Sequence, residues 1–238
     1  MVIMDSSAES FVREKKNLID IAFSQLPEGP RKMADLGGVW DVDGLYTFYA
    51  LENHAVERAV LVDTDISEKT RKRAEKHTGV TLIAGNFGDE LVAKAVGNVD
   101  LVLLFDVLLH QVKPDWRDVL AMYADRSKGI AVFNPQYIVG DSSVRLLDLG
   151  KDEYFANVPH SPDHPLYREL FDKMDEIHPQ HERPWRDIHN VWQWGVTDHD
   201  MIAHMESLGF TKQYEKNCGR FQQLKNFESH AFFFLKTE

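Results

Sequence analysis

Short apolar segments alternate with helical patterns along residues 31–133, and this alternation restricts the chain to few folds. Continuous apolar runs of this length are typical of strands that helices cover on both faces, as in a parallel sheet. We predict strands at 32–36, 58–62, 80–84, 100–105 and 129–133. Their alternation with helices predicts a doubly wound α/β sheet with right-handed crossovers.

The residues before and after this repeat complete a predicted single domain over 1–238. Residues 1–30 contain an N-terminal helix at 5–26, because apolar side chains recur there at helical spacing. Residues 134–194 are rich in histidine, proline and aromatic side chains, and they contain one predicted helix at 166–177. Long irregular segments attached to an α/β sheet commonly serve as lids or binding inserts.

Residues 195–238 return to regular patterns. Thr197 is placed to cap a helix, and two strands are predicted at 211–215 and 230–235. The predicted fold is therefore α/β: a doubly wound, mostly parallel seven-stranded sheet, made by residues 31–133 and 195–238. Helices cover both faces, an antiparallel C-terminal hairpin extends one edge, and a lid-like insert is attached.

Composition and charge limit the partners of the protein. The formal net charge of −11 and the isoelectric point near 5.4 argue against a broad surface for nucleic-acid phosphates. Cys218 is the lone cysteine, so an intramolecular disulfide is excluded and a reducing compartment is compatible. The N-terminal residues lack a signal-segment pattern, and the longest apolar runs are too short to span a bilayer. We therefore expect a cytoplasmic protein that binds neither nucleic acid nor membranes.

The segment 31–49 combines a predicted strand, a glycine loop and an amphipathic helix. Asp35 closes the strand, and Gly37 and Gly38 follow it. Glycine lets the backbone turn sharply and lets a ligand approach the main chain, and the following helix offers unpaired N–H groups. This pattern is typical of a nucleotide site, although a tight turn with glycine for steric reasons explains the same residues.

Polar side chains follow the next three predicted strands. They are Asp63 and Asp65 after the second strand, Asn86 with Phe87 after the third, and Asp106 after the fourth. The carboxyl ends of parallel strands meet at one edge of a sheet, where ligands bind. A carboxylate there can accept hydrogen bonds from both ribose hydroxyls, and an amide beside an apolar ring suits an adenine.

The ordered set of motifs resembles that of the class I S-adenosylmethionine-dependent methyltransferases. The matching segments are ADLGG at 34–38, VDTDIS at 62–67, AGNFGD at 84–89, DLVLLFDVLLHQVKPDW at 100–116 and TDHDMIAHMESLGF at 197–210. The resemblance implies methyl transfer from the cofactor S-adenosyl-L-methionine to a nucleophile on an acceptor. It also implies the cofactor-binding residues, which are Asp35, Gly37, Gly38, Asp63, Asp65, Asn86, Phe87 and Asp106.

The glycine loop departs from the family pattern. The family usually has glycines at alternate positions, which would be 37, 39 and 41 here. This chain instead has Gly37, Gly38, Val39 and Asp41. Asn86 stands where the family usually has aspartate, and it keeps a hydrogen-bond acceptor. The ribose role stays open between two acids, because the strand end favours Asp63 while the DIS sequence favours Asp65.

His110 is the candidate catalytic residue. It follows Asp106 by four residues, so in a helix the two side chains would share a face just beyond the fourth strand. An imidazole is a suitable base near neutral pH and could take the proton of an acceptor hydroxyl. A histidine that caps or packs beneath the insert explains this residue equally well.

The insert supplies the candidate substrate-binding residues, which are Tyr137, His189, Trp192 and Trp194. Tryptophans in a lid also commonly form a small core of their own. The insert contains several histidines, among them His178 and His181, but neither a cysteine nor a coherent helical face joins them. We therefore predict no metal site.

The expected reaction is methylation of a small-molecule acceptor, with a hydroxyl of a natural product or sugar as the leading choice. One alternative is a catalytically degenerate methyltransferase fold that serves as a binding protein, which the irregular glycine loop favours. A nicotinamide-dependent oxidoreductase would share the acid after the second strand, but it would want a G-x-G-x-x-G sequence that this chain lacks. A homodimer remains open beside a monomer.

Overall fold

The structure is a computed structural model that describes residues 6–27, 31–221 and 224–237. Residues 1–5 and 28–30, which belong to the predicted N-terminal segment, lie outside the described residues. The strands are β1 (Arg31–Leu36), β2 (Val56–Asp63), β3 (Val80–Ala84), β4 (Val99–Phe105), β5 (Ser127–Tyr137), β6 (Val144–Arg145), β7 (Trp194–Gly195), β8 (Phe210–Arg220) and β9 (Phe227–Lys236).

Seven of these strands form one sheet in the order β3-β2-β1-β4-β5-β9-β8. The first five pair in parallel, whereas β9 pairs antiparallel with both β5 and β8. The short strands β6 and β7 form a separate antiparallel pair within the insert. The predicted fold class, including the antiparallel C-terminal hairpin at the sheet edge, is confirmed.

Several of the helices begin at a residue whose side chain caps the first turn. They are α1 (Ser6–Gln25), α2 (Leu45–Asn53), α3 (Glu68–Ala74), α4 (Glu90–Val96), α5 (Trp116–Ala124), α6 (Lys151–Ala156), α7 (Pro165–Arg168) and α8 (Asp198–Ser207). The side chain of Ser67 accepts from the Thr70 N–H at the start of α3, and Thr197 does the same for Asp200 at the start of α8. None of the described helices is long and apolar enough to cross a membrane.

Both faces of the sheet are covered, which explains the unbroken apolar runs of its strands. Along β4, Leu101 and Leu103 pack against α1 and α2, whereas Val102 and Leu104 pack against α4, α5 and α8. All four leucine and valine side chains are fully buried. A third cluster belongs to the insert and contains Tyr154, Tyr167, Leu170, Trp185 and Trp192.

Two predictions about the insert are wrong. Strand β5 runs to Tyr137, so residues 134–137 are strand rather than loop, because Asn134 and Gln136 are buried in the ladder with β9. The helix predicted at 166–177 ends at Arg168. Further along, the carbonyls of Met174 and Glu176 accept from the N–H groups of 185–186, a tertiary backbone pairing that replaces helical hydrogen bonds.

Candidate functional site

The glycine loop after β1 turns sharply over the ends of the neighbouring strands. Gly37 has φ of +78°, and its N–H donates to the carbonyl of Val62 at 2.7 Å. A Cβ at Gly37 would lie 2.6 Å from the Val107 side chain, and one at Gly38 would overlap the carboxyl of Asp35. Both positions therefore require glycine for contacts within the protein itself.

The departure from alternate glycines has a conformational explanation. Between Gly37 and Gly44, which both have positive φ, the loop also places Asp41 at φ of 56° and Asp43 at φ of 48°. Aspartate tolerates this left-handed region better than most residues, so Asp41 can replace the third glycine of the family pattern. Val39 stands at the second glycine position, where it is buried against β2.

Asp35 lies beneath the glycine loop and is almost fully buried. Its carboxylate accepts a hydrogen bond from the hydroxyl of Thr47 at 2.6 Å. Burial disfavours the charged form and raises the pKa of Asp35 to about 6, although the hydrogen bonds from Thr47 oppose this shift. The side chain therefore supports the loop from below.

The two candidate ribose acids occupy different environments. Asp63 is buried, and its Oδ2 accepts from the backbone N–H groups of Val39 at 2.9 Å and Trp40 at 3.2 Å. Asp65 is exposed two residues later. The Asp63 carboxylate therefore holds the glycine loop through these hydrogen bonds. Of the two candidate acids, Asp65 is the one whose carboxylate is accessible to a ligand.

The loop after β3 carries Asn86 and Phe87. The Oδ1 of Asn86 accepts from the N–H of Gly88 at 2.9 Å, and its Nδ2 lies 3.4 Å from Nδ1 of His189. Arg183 donates to the other ring nitrogen of His189 at 2.8 Å. Burial, followed by the charge of Arg183, lowers the pKa of His189 to about 4. The structure therefore places His189 beside the expected adenine contact.

A partly buried ion pair closes the end of β4. Asp106, with φ of 58°, receives a short hydrogen bond from the ammonium of Lys15 on α1. The Lys15 Nζ also lies 5.5 Å from the ring centroid of Tyr46 and 5.0 Å from that of Phe133. Burial alone would lower the pKa of Lys15, but Asp106 and Tyr46 raise it above its ordinary value. Lys15 therefore stays charged.

Lys15 was missed by sequence reasoning, although the sequence contains a signal for it. It lies on the apolar face of α1, four residues after Phe11 and three before Leu18. A charged residue on such a face needs a buried partner. The partner, Asp106, is 91 residues away in sequence, so its identity depends on the tertiary fold.

His110 ends a short 3-10 helix, Leu108–His110, that follows Asp106. Asp106 and His110 do not lie in one regular helix, which was the condition for their side chains to share a face, because Asp106 has left-handed backbone geometry. Nδ1 of His110 lies 2.9 Å from the carbonyl oxygen of Val191. A carbonyl only accepts, so Nδ1 carries the proton and Nε2 keeps its lone pair. Burial lowers the pKa of His110, which keeps the ring neutral near pH 7.

The remaining candidate substrate residues are distributed around the insert. Trp192 is buried in the insert core, and its ring centroid lies 5.4 Å from that of Phe227. Trp194 donates from Nε1 to the carbonyl of Gln111 at 2.7 Å. Tyr137 is half-buried at the end of β5 and packs against Gly195. These aromatic residues therefore lie in the insert and at its junctions with the sheet.

Comparisons with known proteins extend this description. No protein-family model and no curated protein sequence matches the chain. Solved structures do match. The 1,6-didemethyltoxoflavin-N1-methyltransferase of Burkholderia thailandensis, with bound 1,6-didemethyltoxoflavin and S-adenosylhomocysteine, is 14% identical, with 95% of this chain and 81% of that chain covered and a TM-score of 0.55.

Two further structures give similar values. The magnesium protoporphyrin IX methyltransferase of Synechocystis PCC 6803, with bound SAH, is 12% identical over 96% of this chain and 84% of that chain, with a TM-score of 0.55. The N-terminal domain of EvdMO1, in the presence of SAH and D-fucose, is 15% identical over 94% of this chain and 82% of that chain, with a TM-score of 0.56. The chain therefore has the fold of the class I S-adenosylmethionine-dependent methyltransferases.

The separate roles of Asp63 and Asp65 can be tested with single substitutions. Asp63→Ala removes the acceptor of two backbone N–H groups, so we expect the free energy of unfolding to fall by about 1–3 kcal/mol. Asp65→Ala should change it by less than about 0.5 kcal/mol and weaken S-adenosylhomocysteine binding at least about tenfold. Urea unfolding and calorimetry measure the two effects. Unchanged ligand affinity in Asp65→Ala would refute the ribose role.

The raised pKa of the buried Asp35 carboxyl predicts that replacing it with a neutral side chain stabilises the fold, and more so at higher pH. Its folded-state pKa of about 6 exceeds the ordinary value of 3.8, so the ionised group destabilises the fold increasingly as pH rises through about 6. Asp35→Asn keeps an acceptor for Thr47 and should raise the free energy of unfolding by up to about 3 kcal/mol at pH 8 and about half as much at pH 5. Exposed Asp152→Asn is the control in denaturant unfolding. Equal gains at both pH values would contradict the raised pKa.

Proposed function

We propose that the protein transfers a methyl group from S-adenosyl-L-methionine to a hydroxyl of a small molecule, such as a natural product or sugar. One observation carries this proposal. The glycine loop, Asp65, Asn86 and Asp106 all follow the carboxyl ends of adjacent parallel strands, β1 to β4. Ligands of doubly wound sheets bind at that edge.

The side chains at this edge fit the proposed cofactor. Gly37 and Gly38 bring the main chain close to the strand ends, and the carboxylate of Asp65 is free to accept from a ribose. Among the described residues, none forms a hydrogen bond with the buried oxygen Oδ1 of Asp106, although the side chain as a whole is one-third exposed. Such an atom is available to a polar or cationic ligand group. When bound, S-adenosylmethionine supplies an activated methyl group on a sulfonium.

Asn86 and Phe87 would hold the adenine. The amide of Asn86 is fixed by its own bond to Gly88, and Phe87 is buried with its carbonyl accepting from the hydroxyl of Tyr123 at 2.9 Å. His189 lies on the insert side of Asn86. A polar side chain in a fixed orientation beside an aromatic ring can select one base edge without reorganisation.

Lys15 and Asp106 would orient the reaction centre. Their ion pair holds the Asp106 carboxylate in one position, and Tyr46 packs beside it with a pKa raised to about 12 by burial. Fixed charges in a water-poor site need no reorganisation when charge moves in a reaction. This arrangement supports a site where alignment and exclusion of water are the main contributions of the protein.

His110 would act as the general base. Its Nδ1 is tied to the Val191 carbonyl, so its Nε2 lone pair is the one that can take a proton from the acceptor hydroxyl. Val191 belongs to the insert, and therefore the insert fixes the tautomer and the ring orientation of the base. A neutral imidazole near pH 7 suits this role.

A small acceptor is favoured by two features. The net charge of −11 disfavours a polyanionic substrate. The insert also packs on the strand-end side, where the N–H of Gln193 donates to the carbonyl of Leu109 at 3.0 Å and Trp194 bonds to Gln111. The 1,6-didemethyltoxoflavin and the D-fucose of two of the similar structures are small molecules and give starting points for an acceptor panel.

Calorimetry with S-adenosylhomocysteine and with NAD tests the proposed function directly. We expect S-adenosylhomocysteine to bind with one site per chain and NAD to show no binding. A panel of hydroxylated acceptors should then release S-adenosylhomocysteine from S-adenosylmethionine. Binding without turnover on any acceptor would favour a binding protein, and binding of NAD alone would favour an oxidoreductase.

The base assignment predicts a large kinetic effect. His110→Ala should lower kcat by roughly 10²–10⁴-fold with little change in cofactor affinity, because general-base catalysis typically contributes that much. His110→Gln should not restore the rate, since an amide cannot take the proton. Exposed His199→Ala is the control. Full turnover by a stably folded His110→Ala protein would exclude the base role.

A further inference from the structure

Three potential metal ligands converge beneath the first turn of α8. They are Asp198 on α8, Glu215 on β8 and His230 on β9, and one ligand atom from each lies within 4.8 Å of the others. We propose that these side chains bind a divalent cation of the zinc class. None of the three belongs to the proposed cofactor or acceptor site, so the inference stands apart from the proposed function.

The ligands are presented by regular secondary structure. His230 is paired in register with Asn134 on β5 and with Asn217 on β8, so its backbone is held on both sides. Glu215 lies on the neighbouring strand opposite Phe232. Asp198 is fixed as the first residue of α8, directly after the Thr197 cap. Ligands on strands and helices are positioned more accurately than ligands on loops.

The hydrogen-bond geometry of His230 points to a missing partner. Only 6% of the residue is exposed, yet neither ring nitrogen makes a hydrogen bond within the described structure. Its Nδ1 lies 2.8 Å from Oδ2 of Asp198 at an orientation that does not form a hydrogen bond. The second oxygen of Asp198, Oδ1, is also buried, and it has no hydrogen-bond partner in the part of the chain that the structure describes. An ion that took Nδ1 of His230 and this unpartnered oxygen of Asp198 as ligands would satisfy both atoms.

The local charge favours a divalent cation. Glu228 adds a third carboxylate, with Oε2 at 3.9 Å from Nε2 of His230. Lys212 forms an ion pair with Glu215. Among the described residues, it is the cationic side chain that pairs with these three carboxylates. Three carboxylates facing one lysine leave an excess of two negative charges, which a divalent ion would neutralise. The positive end of the α8 dipole would repel that ion, and the three carboxylates oppose this repulsion.

The donor set selects the class of metal. One imidazole nitrogen with carboxylate oxygens suits Zn²⁺, whereas an all-oxygen set would suit Mg²⁺ or Ca²⁺. Asn134 lies directly across the ladder from His230 and is fully buried. Its Oδ1 has no hydrogen-bond partner among the described residues, so it offers a further oxygen. Glu228 faces the ring nitrogen opposite Asp198, as carboxylates commonly do behind a metal-binding histidine.

The place of this site in the fold suggests a structural role. It would join α8 to β8 and β9 just after the insert returns to the sheet at Thr197. The prediction of no metal site considered the histidines of the insert alone. His230 was assigned to a strand, and its partners Asp198 and Glu215 are distant in sequence, so spacing gave no metal motif.

Metal binding can be tested on untagged full-length protein after removal of metals with a chelator. Titration with ZnCl₂ should show one Zn²⁺ per chain, and Zn²⁺ at about 100 times its Kd should raise Tm by about 5 °C or more. Co²⁺ should give visible absorption typical of nitrogen and oxygen ligands. His230→Gln should weaken Zn²⁺ binding at least about tenfold, because it removes the nitrogen ligand.

Two further variants keep the test decisive. Glu215→Gln changes a partly exposed side chain, so it should fold normally and also lose at least about tenfold in Zn²⁺ affinity. His199→Gln, an exposed histidine next to Asp198, should bind Zn²⁺ as the unchanged protein does. Absence of stoichiometric Zn²⁺ binding, or equal affinity in the unchanged protein and Glu215→Gln, would overturn the proposal.

Discussion

The parallel pairing of β1 with β2 and β4 is the constraint on which the rest of the molecule depends. In this register Asp35 lies opposite Leu61 on one side and Leu103 on the other, so the three strands end at the same level. Their apolar side chains need helices on both faces, and polar side chains are therefore confined to the ends. The glycine loop, the acids and the amide of the candidate site meet there as a consequence of this pairing.

The candidate site contains buried charge that the fold must stabilise. Asp35 has a hydroxyl partner rather than a cation, while Lys15 and Asp106 neutralise each other at a desolvation cost. The two apolar clusters that flank the sheet supply the stabilisation that offsets this cost. Polar groups held at such cost are prearranged for ligands, because they need not reorganise when a ligand arrives.

The elements that local sequence determines were predictable. Apolar runs located the strands, and Thr197 located the start of α8, because capping depends on residues three positions apart. The extension of β5 was not predictable, since Asn134 and Gln136 are polar and become strand only by pairing with β9. The Lys15–Asp106 pair and the cluster around His230 join residues that are distant in sequence, so only the folded chain identifies them.

The position of α1 has a consequence for biosynthesis. This helix packs against β5 and β9, Lys216 pairs with Glu14 across 202 residues, and Phe11 stacks on Phe221. During translation α1 emerges before β8 and β9, so the surface that receives it is complete only after those two strands have emerged. Until then, the part of the apolar face of α1 that β9 covers has no partner in the nascent chain.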